Sequence, residues 1–120
     1  MASLDMKGAF QLTLDEINEK VTEVMAGNYA LGYVKIKNGK RVFIVQYVGR
    51  SDTDVARRLK EHVNEGYSHF KFSYASSRRA AFIKECQNYH DFNPSDNDIH
   101  PRRPDDANWR CPNPDCDELD

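Results

Sequence analysis

The sequence predicts one small α+β domain, an α/β arrangement in which helices flank a three-stranded antiparallel sheet in the order α-β-β-α-β-α. Its 120 residues are about one domain's worth of chain and enough to bury a core. An Asn-Gly pair between two runs of β-branched and aromatic residues indicates a β-hairpin. From Phe92 onward the composition shifts to asparagine, aspartate, proline and arginine. We therefore expect the domain to occupy 1–97 and an irregular tail, rich in proline and aspartate, to follow over 98–120.

The first helix is predicted from a capping box, in which Thr13 is the N-cap and Glu16 reaches back from the third helical position. Apolar residues then recur at helical spacing, which extends the predicted helix to about Ala26. Gly27 and Asn28 are expected to end it. The apolar positions are Leu14, Ile17, Val21 and Val24 or Met25.

The hairpin is predicted to join strands at 29–36 and 42–48 through a turn at 37–40, which contains the Asn-Gly pair. Side chains alternate between the two faces of a strand. Three residues of the first strand should therefore share a face, namely Tyr29, Leu31 and Tyr33.

Two more helices and a third strand follow the hairpin. A helix is expected to begin at 51–54, where acidic groups suit the first turn, and to end at Gly66. Alternating aromatic residues predict a strand over 67–74, and Ser76-Ser77 cap a third helix that runs to about His90. The supporting apolar positions are Val55, Leu59 and Val63 in the helix, and Phe70, Phe72 and Tyr74 in the strand.

Charge is distributed unevenly along the chain. Residues 35–84 carry 12 basic and 4 acidic side chains, whereas residues 85–120 carry 3 basic and 10 acidic ones. The middle segment is basic enough to attract a polyanion, and the tail is expected to lower affinity for DNA by repulsion. A solvated charged surface is the alternative explanation for the same pattern.

Cellular location is inferred from what the sequence lacks. No apolar run approaches the roughly 20 residues that a membrane helix needs, and the first ten residues lack the pattern of a secretory signal. The three cysteines are an odd number, which argues against a disulfide framework. We expect a cytoplasmic protein with no membrane association.

Five short segments of the chain carry candidate functional groups in a defined order. A Gly-x-Tyr segment opens the first hairpin strand, and Tyr-Val-Gly closes the second. An arginine with a histidine four residues later lies in the next helix, a glutamate lies in the third helix, and Pro-x-x-Asn follows. These segments are Gly27-Asn28-Tyr29, Tyr47-Val48-Gly49, Arg58 with His62, Glu85, and Pro94-Ser95-Asp96-Asn97.

This ordered set, over about 27–97, resembles the GIY-YIG nuclease superfamily. The resemblance implies a metal-dependent endonuclease that hydrolyses DNA, with Tyr29 as the first choice for activating the attacking water and Tyr47 beside it. It also implies that Glu85 binds Mg²⁺ or Mn²⁺ and that Asn97 supports the metal site. The two tyrosines are 18 positions apart, more than is usual in the family, which we attribute to a longer hairpin.

Helical geometry distinguishes the two adjacent arginines. Each residue turns a helix by about 100°. With Leu59 at the centre of the buried stripe, Arg58 and His62 lie about 100° and 60° to the same side, while Arg57 points about 160° away. Arg58 is therefore the candidate for contacting the scissile phosphate, and His62 could donate to the phosphate or shuttle a proton. An ordinary histidine at the edge of the core is the alternative for His62.

The environment of Glu85 supports its role as a metal ligand. It lies among Ala81, Phe82, Ile83 and Cys86, on a helix that we expect to be largely buried. A buried carboxylate requires a compensating cation, and Mg²⁺ is a hard ion that prefers oxygen ligands. If Glu85 instead faces solvent, it is only a helix-forming residue.

The remaining basic residues are candidates for contacts with DNA phosphates. They would follow the backbone without reading bases. These residues are Arg50 after the Tyr-Val-Gly segment, Lys35, Lys37, Lys40 and Arg41 on the hairpin, and Lys71, Arg78 and Arg79.

A zinc site in the tail is a further hypothesis. Cys111 and Cys116 are spaced as half of a four-ligand site, and His100 or His90 could add ligands. Incidental thiols in a tail are the alternative.

Two other function classes compete with the nuclease. One is a non-catalytic nucleic-acid-binding module, which would have no need of Glu85. The other is a small interaction domain whose acidic tail docks a protein partner. In the nuclease hypothesis a partner protein, an oligomer, the hairpin or the tail would have to provide target specificity.

Overall fold

The computed structural model describes residues 3–97, 100–102, 104 and 106–112. Seven elements follow in order: β1 (Lys7–Gln11), α1 (Leu14–Lys20), β2 (Gly27–Lys37), β3 (Lys40–Ser51), α2 (Val55–Glu61), β4 (His69–Tyr74) and α3 (Arg78–Phe92). All strand pairs are antiparallel and form one sheet in the order β1-β4-β2-β3. The α+β class is therefore confirmed.

The predicted number of strands was wrong. The sheet has four strands, and the strand that we did not predict is β1, the first element of the described chain. β1 has only five residues and none of them is buried, so it lacks the alternation that marks a half-buried strand. Its pairing with β4 is irregular between Gly8 and Phe10, and Gly8 has a positive φ of 126°. The element order is β-α-β-β-α-β-α.

Helix α1 begins as predicted but ends six residues earlier than Ala26. Thr13 Oγ1 accepts a hydrogen bond from the Glu16 amide at 3.1 Å, which is the predicted cap. After Lys20 the backbone takes other partners. The Tyr74 hydroxyl accepts from the amides of Thr22 and Glu23, at 3.0 and 3.1 Å. These bonds replace the helical ones, so residues 22–26 form a connection to β2, and Gly27 and Asn28 are buried strand residues.

The predicted hairpin is confirmed, and both strands are longer than expected. Lys37 pairs with Lys40, and the two turn residues Asn38 and Gly39 have positive φ values of 53° and 78°. This is the left-handed conformation that two-residue hairpin turns need. Tyr29 and Leu31 are fully buried, whereas Tyr33, nearer the tip, is 39% exposed.

Helices α2 and α3 differ in how closely they match the prediction. Helix α2 starts later than predicted, with Asp54 as its N-cap, because residues up to Ser51 extend β3. It ends at Glu61 instead of Gly66. Helix α3 is capped by Ser77 as expected. None of the helices in the described ranges has both the length and the apolar content needed to cross a membrane.

The sheet is covered on both faces. On one face, α1 and α2 bury Ile17, Val55 and Leu59 against the aromatic residues Phe70 and Phe72 of β4. On the other face, α3 covers β2 and β3, where a smaller cluster is built on Leu4, Ala30 and Val48. Because β3 is the last strand of the sheet, its outer edge is where side chains from the two faces meet.

The segment after α3 is irregular as predicted, and it packs on the domain. The Asp96 amide donates to the Gln46 carbonyl at 2.8 Å, which attaches this segment to the outer edge of β3. The Trp109 ring lies 6.0 Å from the ring of Phe82 on α3, measured between centroids. Residues 98–99, 103, 105 and 113–120 lie outside the described part of the chain.

Candidate active site

A cavity of about 540 Å³ opens at the outer edge of β3. Five of the six predicted catalytic residues line it, namely Tyr29, Tyr47, Arg58, Glu85 and Asn97. The sixth, His62, is hydrogen-bonded to Tyr29. The structure thus brings together side chains from β2, β3, α2, α3 and the segment after α3.

The Tyr29 phenol is buried at the inner end of the cavity, and its oxygen lies 2.9 Å from His62 Nε2. Burial raises the pKa of this phenol, the nearby Tyr47 raises it further, and Arg58 opposes the shift. Tyr29 is therefore protonated at neutral pH, and its proton needs an acceptor close by.

His62 provides that acceptor. Its Nδ1 lies 2.5 Å from Glu65 Oε1. A carboxylate can only accept, so Nδ1 carries a proton, and in the neutral imidazole Nε2 keeps its lone pair. Tyr29 accordingly donates to His62, and His62 donates to Glu65. The three side chains form a relay in which Glu65 sets the tautomer and orientation of the imidazole.

Tyr47 lies beside this relay. Its ring is 6.3 Å from the ring of Tyr29 and 5.5 Å from that of His62, measured between centroids. Burial raises the pKa of Tyr47, and the negative charge of Glu85 adds to the effect. Tyr47 is therefore a neutral hydrogen-bond donor and acceptor in the wall of the cavity.

The two adjacent arginines diverge as helical geometry predicts. Arg58 lines the cavity with a side chain that is 46% exposed, while Arg57 is exposed outside it. Arg58 Nη1 donates to Glu61 Oε1 at 2.5 Å, and this bond raises the pKa of Arg58. Arg58 therefore places a permanent positive charge at the mouth of the cavity.

Glu85 is buried and ion-paired to Arg50. Arg50 Nη1 lies 2.5 Å from Glu85 Oε1, in a pair of which both side chains are about nine-tenths buried. Burial raises the pKa of Glu85, and the Arg50 guanidinium opposes that effect. The buried position agrees with the sequence prediction, and the partner was not foreseen.

Arg50 has a different environment from the one that we expected. We predicted a surface contact to DNA phosphate, yet all three of its nitrogen atoms bind within the protein. Nε donates to Asp52 at 3.0 Å, and Nη2 donates to the Arg102 carbonyl at 2.6 Å. Its guanidinium lies 5.2 Å from the centre of the Phe82 ring. Arg50 thus joins β3, α3 and the segment after α3.

The site spans the edge of the sheet and draws side chains from both of its faces. Tyr29, Tyr47 and His62 lie on the face covered by α2, and Glu85 lies on the face covered by α3. The two groups meet because β3 has its outer edge at the cavity.

Asn97 serves chiefly to attach the segment after α3. Its Oδ1 accepts from the Val48 amide at 2.8 Å, and its Nδ2 donates to the Val48 carbonyl at 3.0 Å. The Asn97 amide group thus pairs with the β3 backbone as a further strand would. These two hydrogen bonds fix the position of Asn97 at the cavity.

The other residues predicted to contact DNA phosphates lie outside the cavity wall. Lys71 lies over the Phe43 ring at 5.5 Å, and Arg78 pairs with Asp106 at 3.2 Å. The remaining ones are exposed and are therefore accessible to a polyanion. These are Lys35, Lys37, Lys40 and Arg41 on the hairpin and Arg79 at the start of α3.

The cavity offers oxygen donors of the type that Mg²⁺ and Mn²⁺ prefer. Glu85, Asp52 and Asp96 all line it. Arg50 binds Oε1 of Glu85 and Oδ1 of Asp52, so the second oxygen of each carboxylate is the one that a divalent ion would approach. The donor set therefore fits a hard cation.

A second group of ligands lies nearby. Cys86, His100 and Cys111 each offer an atom, and these atoms lie within 4.8 Å of one another, so they could hold a metal ion. Cys111 and His100 were predicted as zinc ligands, while Cys86 was not. Cys116 lies outside the described residues, and His90 is beside His100 with ring centroids 5.2 Å apart.

Sequence reasoning missed three carboxylates. Asp52 and Asp96 line the cavity, and Glu65 contacts His62. The spacing of Glu65, three residues after His62, was an available signal, since such residues are neighbours on a helical turn.

Comparison of the chain with protein-family models, with curated proteins and with solved structures found no match. The resemblance to GIY-YIG nucleases stays a prediction from the sequence motifs. Any proposal for the function of this chain must therefore be argued from the side chains that surround the cavity.

Proposed function

We propose that this protein is a metal-dependent endonuclease that hydrolyses DNA phosphodiester bonds at the β3 edge, through a GIY-YIG type of active site. One observation carries the proposal: five functional groups of four chemical types, distant in sequence, surround one cavity or contact a residue that lines it. These are the phenols of Tyr29 and Tyr47, the guanidinium of Arg58, the imidazole of His62 and the carboxylate of Glu85.

The relay of Tyr29, His62 and Glu65 supplies the base. A water molecule attacks phosphorus while its proton passes to the Tyr29 oxygen, and the phenol proton passes to His62 Nε2. The net result is a protonated His62, whose charge is stabilised by Glu65 at 2.5 Å. This relay explains how a phenol with a raised pKa takes part at neutral pH, because Tyr29 never has to release its proton to bulk water.

Arg58 binds the phosphate. A guanidinium offers two parallel donors to phosphate oxygens and keeps its charge at any physiological pH. Glu61 holds Arg58 in the free protein and must share it when the phosphate binds. The arginine then stabilises the negative charge that grows on the phosphorane and on the leaving oxygen, which takes a proton from solvent as the bond breaks.

Glu85 and Asp52 are the residues that would hold Mg²⁺ or Mn²⁺. A bound divalent ion supplies Lewis-acid stabilisation of the phosphate and of the leaving oxygen. Arg50 positions both carboxylates in the absence of the ion, through Oε1 of Glu85 and Oδ1 of Asp52.

DNA is proposed as the substrate because the segment 35–84 carries 12 basic and 4 acidic residues. Exposed lysines and an arginine at the hairpin would follow the phosphate backbone. These are Lys35, Lys37, Lys40 and Arg41. Backbone contacts of this kind carry no sequence information, so a partner protein is proposed as the source of target specificity.

The proposal is tested by nicking of supercoiled plasmid, with Mg²⁺, with Mn²⁺ and with a chelator in excess. We expect relaxed and linear products only when the divalent ion is present. The Arg57→Ala variant is a control, since Arg57 is exposed outside the cavity and should leave cleavage unchanged. An intact, DNA-binding protein that never nicks with either ion would contradict the proposal.

One observation favours a second candidate, a nucleic-acid-binding module without catalysis. The Arg50–Glu85 ion pair compensates the buried carboxylate without any metal ion. In that case, Glu85 would be structural, and DNA binding would not depend on divalent ions.

A further inference from the structure

Two cysteines and a histidine from distant parts of the chain converge beside α3. Cys86 is buried within α3, while His100 and Cys111 belong to the irregular segment that follows. Their ligand atoms lie within 4.8 Å of one another. In a tetrahedral zinc site with Zn–S bonds of about 2.3 Å, ligand atoms are about 3.3 to 3.8 Å apart. A contraction of about 1 Å would therefore convert the observed cluster into a coordination shell.

A hydrogen bond to the backbone defines which nitrogen of His100 would bind a metal ion. His100 Nδ1 lies 2.9 Å from the Pro101 carbonyl oxygen. A carbonyl can only accept, so Nδ1 carries the proton and Nε2 keeps the lone pair that a metal ion uses. A hydrogen bond from the second ring nitrogen to a backbone carbonyl is the usual support of a zinc-binding histidine.

We propose that Cys86, His100 and Cys111 form a structural zinc site that attaches the segment after α3 to the domain. Two thiolates and an imidazole select zinc over Mg²⁺, which prefers oxygen ligands. These three residues supply three of the four positions of a tetrahedral site, and a water molecule would fill the fourth.

The zinc site would hold one wall of the cavity in place. Pro101 and Arg102 follow His100 directly and line the cavity, and the Arg102 carbonyl accepts from Arg50 at 2.6 Å. Arg50 in turn binds Glu85, the residue next to Cys86 in α3. An ion at this position would therefore stabilise the surroundings of Glu85 through the segment that carries His100, which itself lines the cavity.

This site and the proposed magnesium site differ in chemistry and can be tested separately. The zinc site depends on thiolates, so its readouts are metal content, thiolate absorption and thermal unfolding, none of which involves DNA. If the nuclease proposal fails, these three readouts are unaffected. If the zinc proposal fails, the plasmid-nicking assay with Mg²⁺ or Mn²⁺ still tests the nuclease proposal.

The test begins with elemental analysis of the full chain, purified under reducing conditions without chelator. We expect one zinc per chain. Replacement by Co²⁺ should give the charge-transfer absorption of thiolate ligands, saturating at one equivalent, and strong chelation should lower the Tm. No bound zinc, together with Co²⁺ that gives no thiolate absorption, would overturn the proposal.

Substitutions identify the ligands. Cys111→Ser and His100→Gln should each abolish stoichiometric zinc, whereas the matched control His69→Gln, in β4, should keep one zinc per chain. Full zinc retention by Cys111→Ser would overturn the assignment. A Cys86–Cys111 disulfide in the protein as purified, detected as the loss of two titratable thiols, would also overturn it. The wild-type measurements decide the matter even if a variant fails to fold.

Discussion

The ring of Tyr29 lies directly over Gly49, so closely that a β-carbon at position 49 would come within 2.4 Å of the phenol oxygen. The two residues face each other across the β2–β3 ladder. The glycine of the Tyr-Val-Gly segment thus makes room for the phenol that contacts His62. This explains in physical terms why a glycine is placed two residues after Tyr47.

We predict that Gly49→Ala displaces the Tyr29 ring. The added methyl group overpacks a buried site, which typically costs about 1 to 3 kcal/mol of unfolding free energy. Denaturant unfolding would measure the cost, and plasmid nicking should fall with it. Truncation of the ring in a Tyr29→Ala background should remove most of the penalty of the alanine at 49. An equal penalty in both backgrounds would show that the clash with Tyr29 is not its cause.

The relay predicts graded losses of activity. Tyr29→Phe keeps the ring but removes the phenol oxygen, so we expect kcat to fall by about 10² to 10⁴-fold, the usual contribution of a general base. Glu65→Gln should cause a smaller loss, because His62 keeps its place but loses the charge that stabilises its protonated form. Glu19→Gln, on the exposed surface of α1, is the matched control. A Tyr29→Phe variant with wild-type kcat would exclude this phenol from the chemistry.

Arg58 and Arg57 form a built-in pair of test and control. Arg58→Ala should lower kcat by about 10² to 10³-fold, in line with the loss of one donor to a developing oxyanion. Arg57→Ala should have little effect on kcat, since that side chain lies outside the cavity. Single-turnover cleavage at saturating protein separates this effect from weaker binding. Equal losses in the two variants would indicate a general loss of DNA affinity.

Burial of Tyr29 predicts a specific dependence of stability on pH. Its pKa in the folded state is raised above the usual value of about 10, so the folded state binds this proton more tightly than the unfolded state. The resulting stabilisation is complete below about pH 10 and is lost as the pH rises through the folded-state pKa. Above about pH 10, the stability of the wild type should therefore fall more steeply than the stability of Tyr29→Phe. Tyr33→Phe, at an exposed position, is the control and should follow the wild type.

Elements whose signals are local were predicted well. The Asn38-Gly39 turn and the caps at Thr13 and Ser77 each depend on a few neighbouring residues, and the structure has them where we expected. Strand β1 was missed and the end of α1 was predicted wrongly, because distant partners determine both. β1 depends on pairing with β4, and the Tyr74 hydroxyl binds the backbone beyond α1 from more than 50 residues away.

The same distinction applies to the cavity. Tyr29 and Tyr47 were named from the resemblance of their motifs, and helical geometry distinguished Arg58 from Arg57. The Arg50–Glu85 ion pair joins residues 35 positions apart, so no local pattern could reveal it. Cys86 was overlooked for the same reason, since its neighbours Cys111 and His100 come from an irregular segment.

We propose that the groups around the β3 edge form one metal-dependent hydrolytic site. A comparison of plasmid nicking by the wild type and by Glu85→Gln in Mg²⁺, with DNA binding measured on the same preparations, tests this claim. We expect wild-type nicking that stops in chelator, and a Glu85→Gln variant that binds DNA normally while cleaving at least about 10²-fold more slowly. Equal nicking by the two proteins, with equal binding, would contradict the claim.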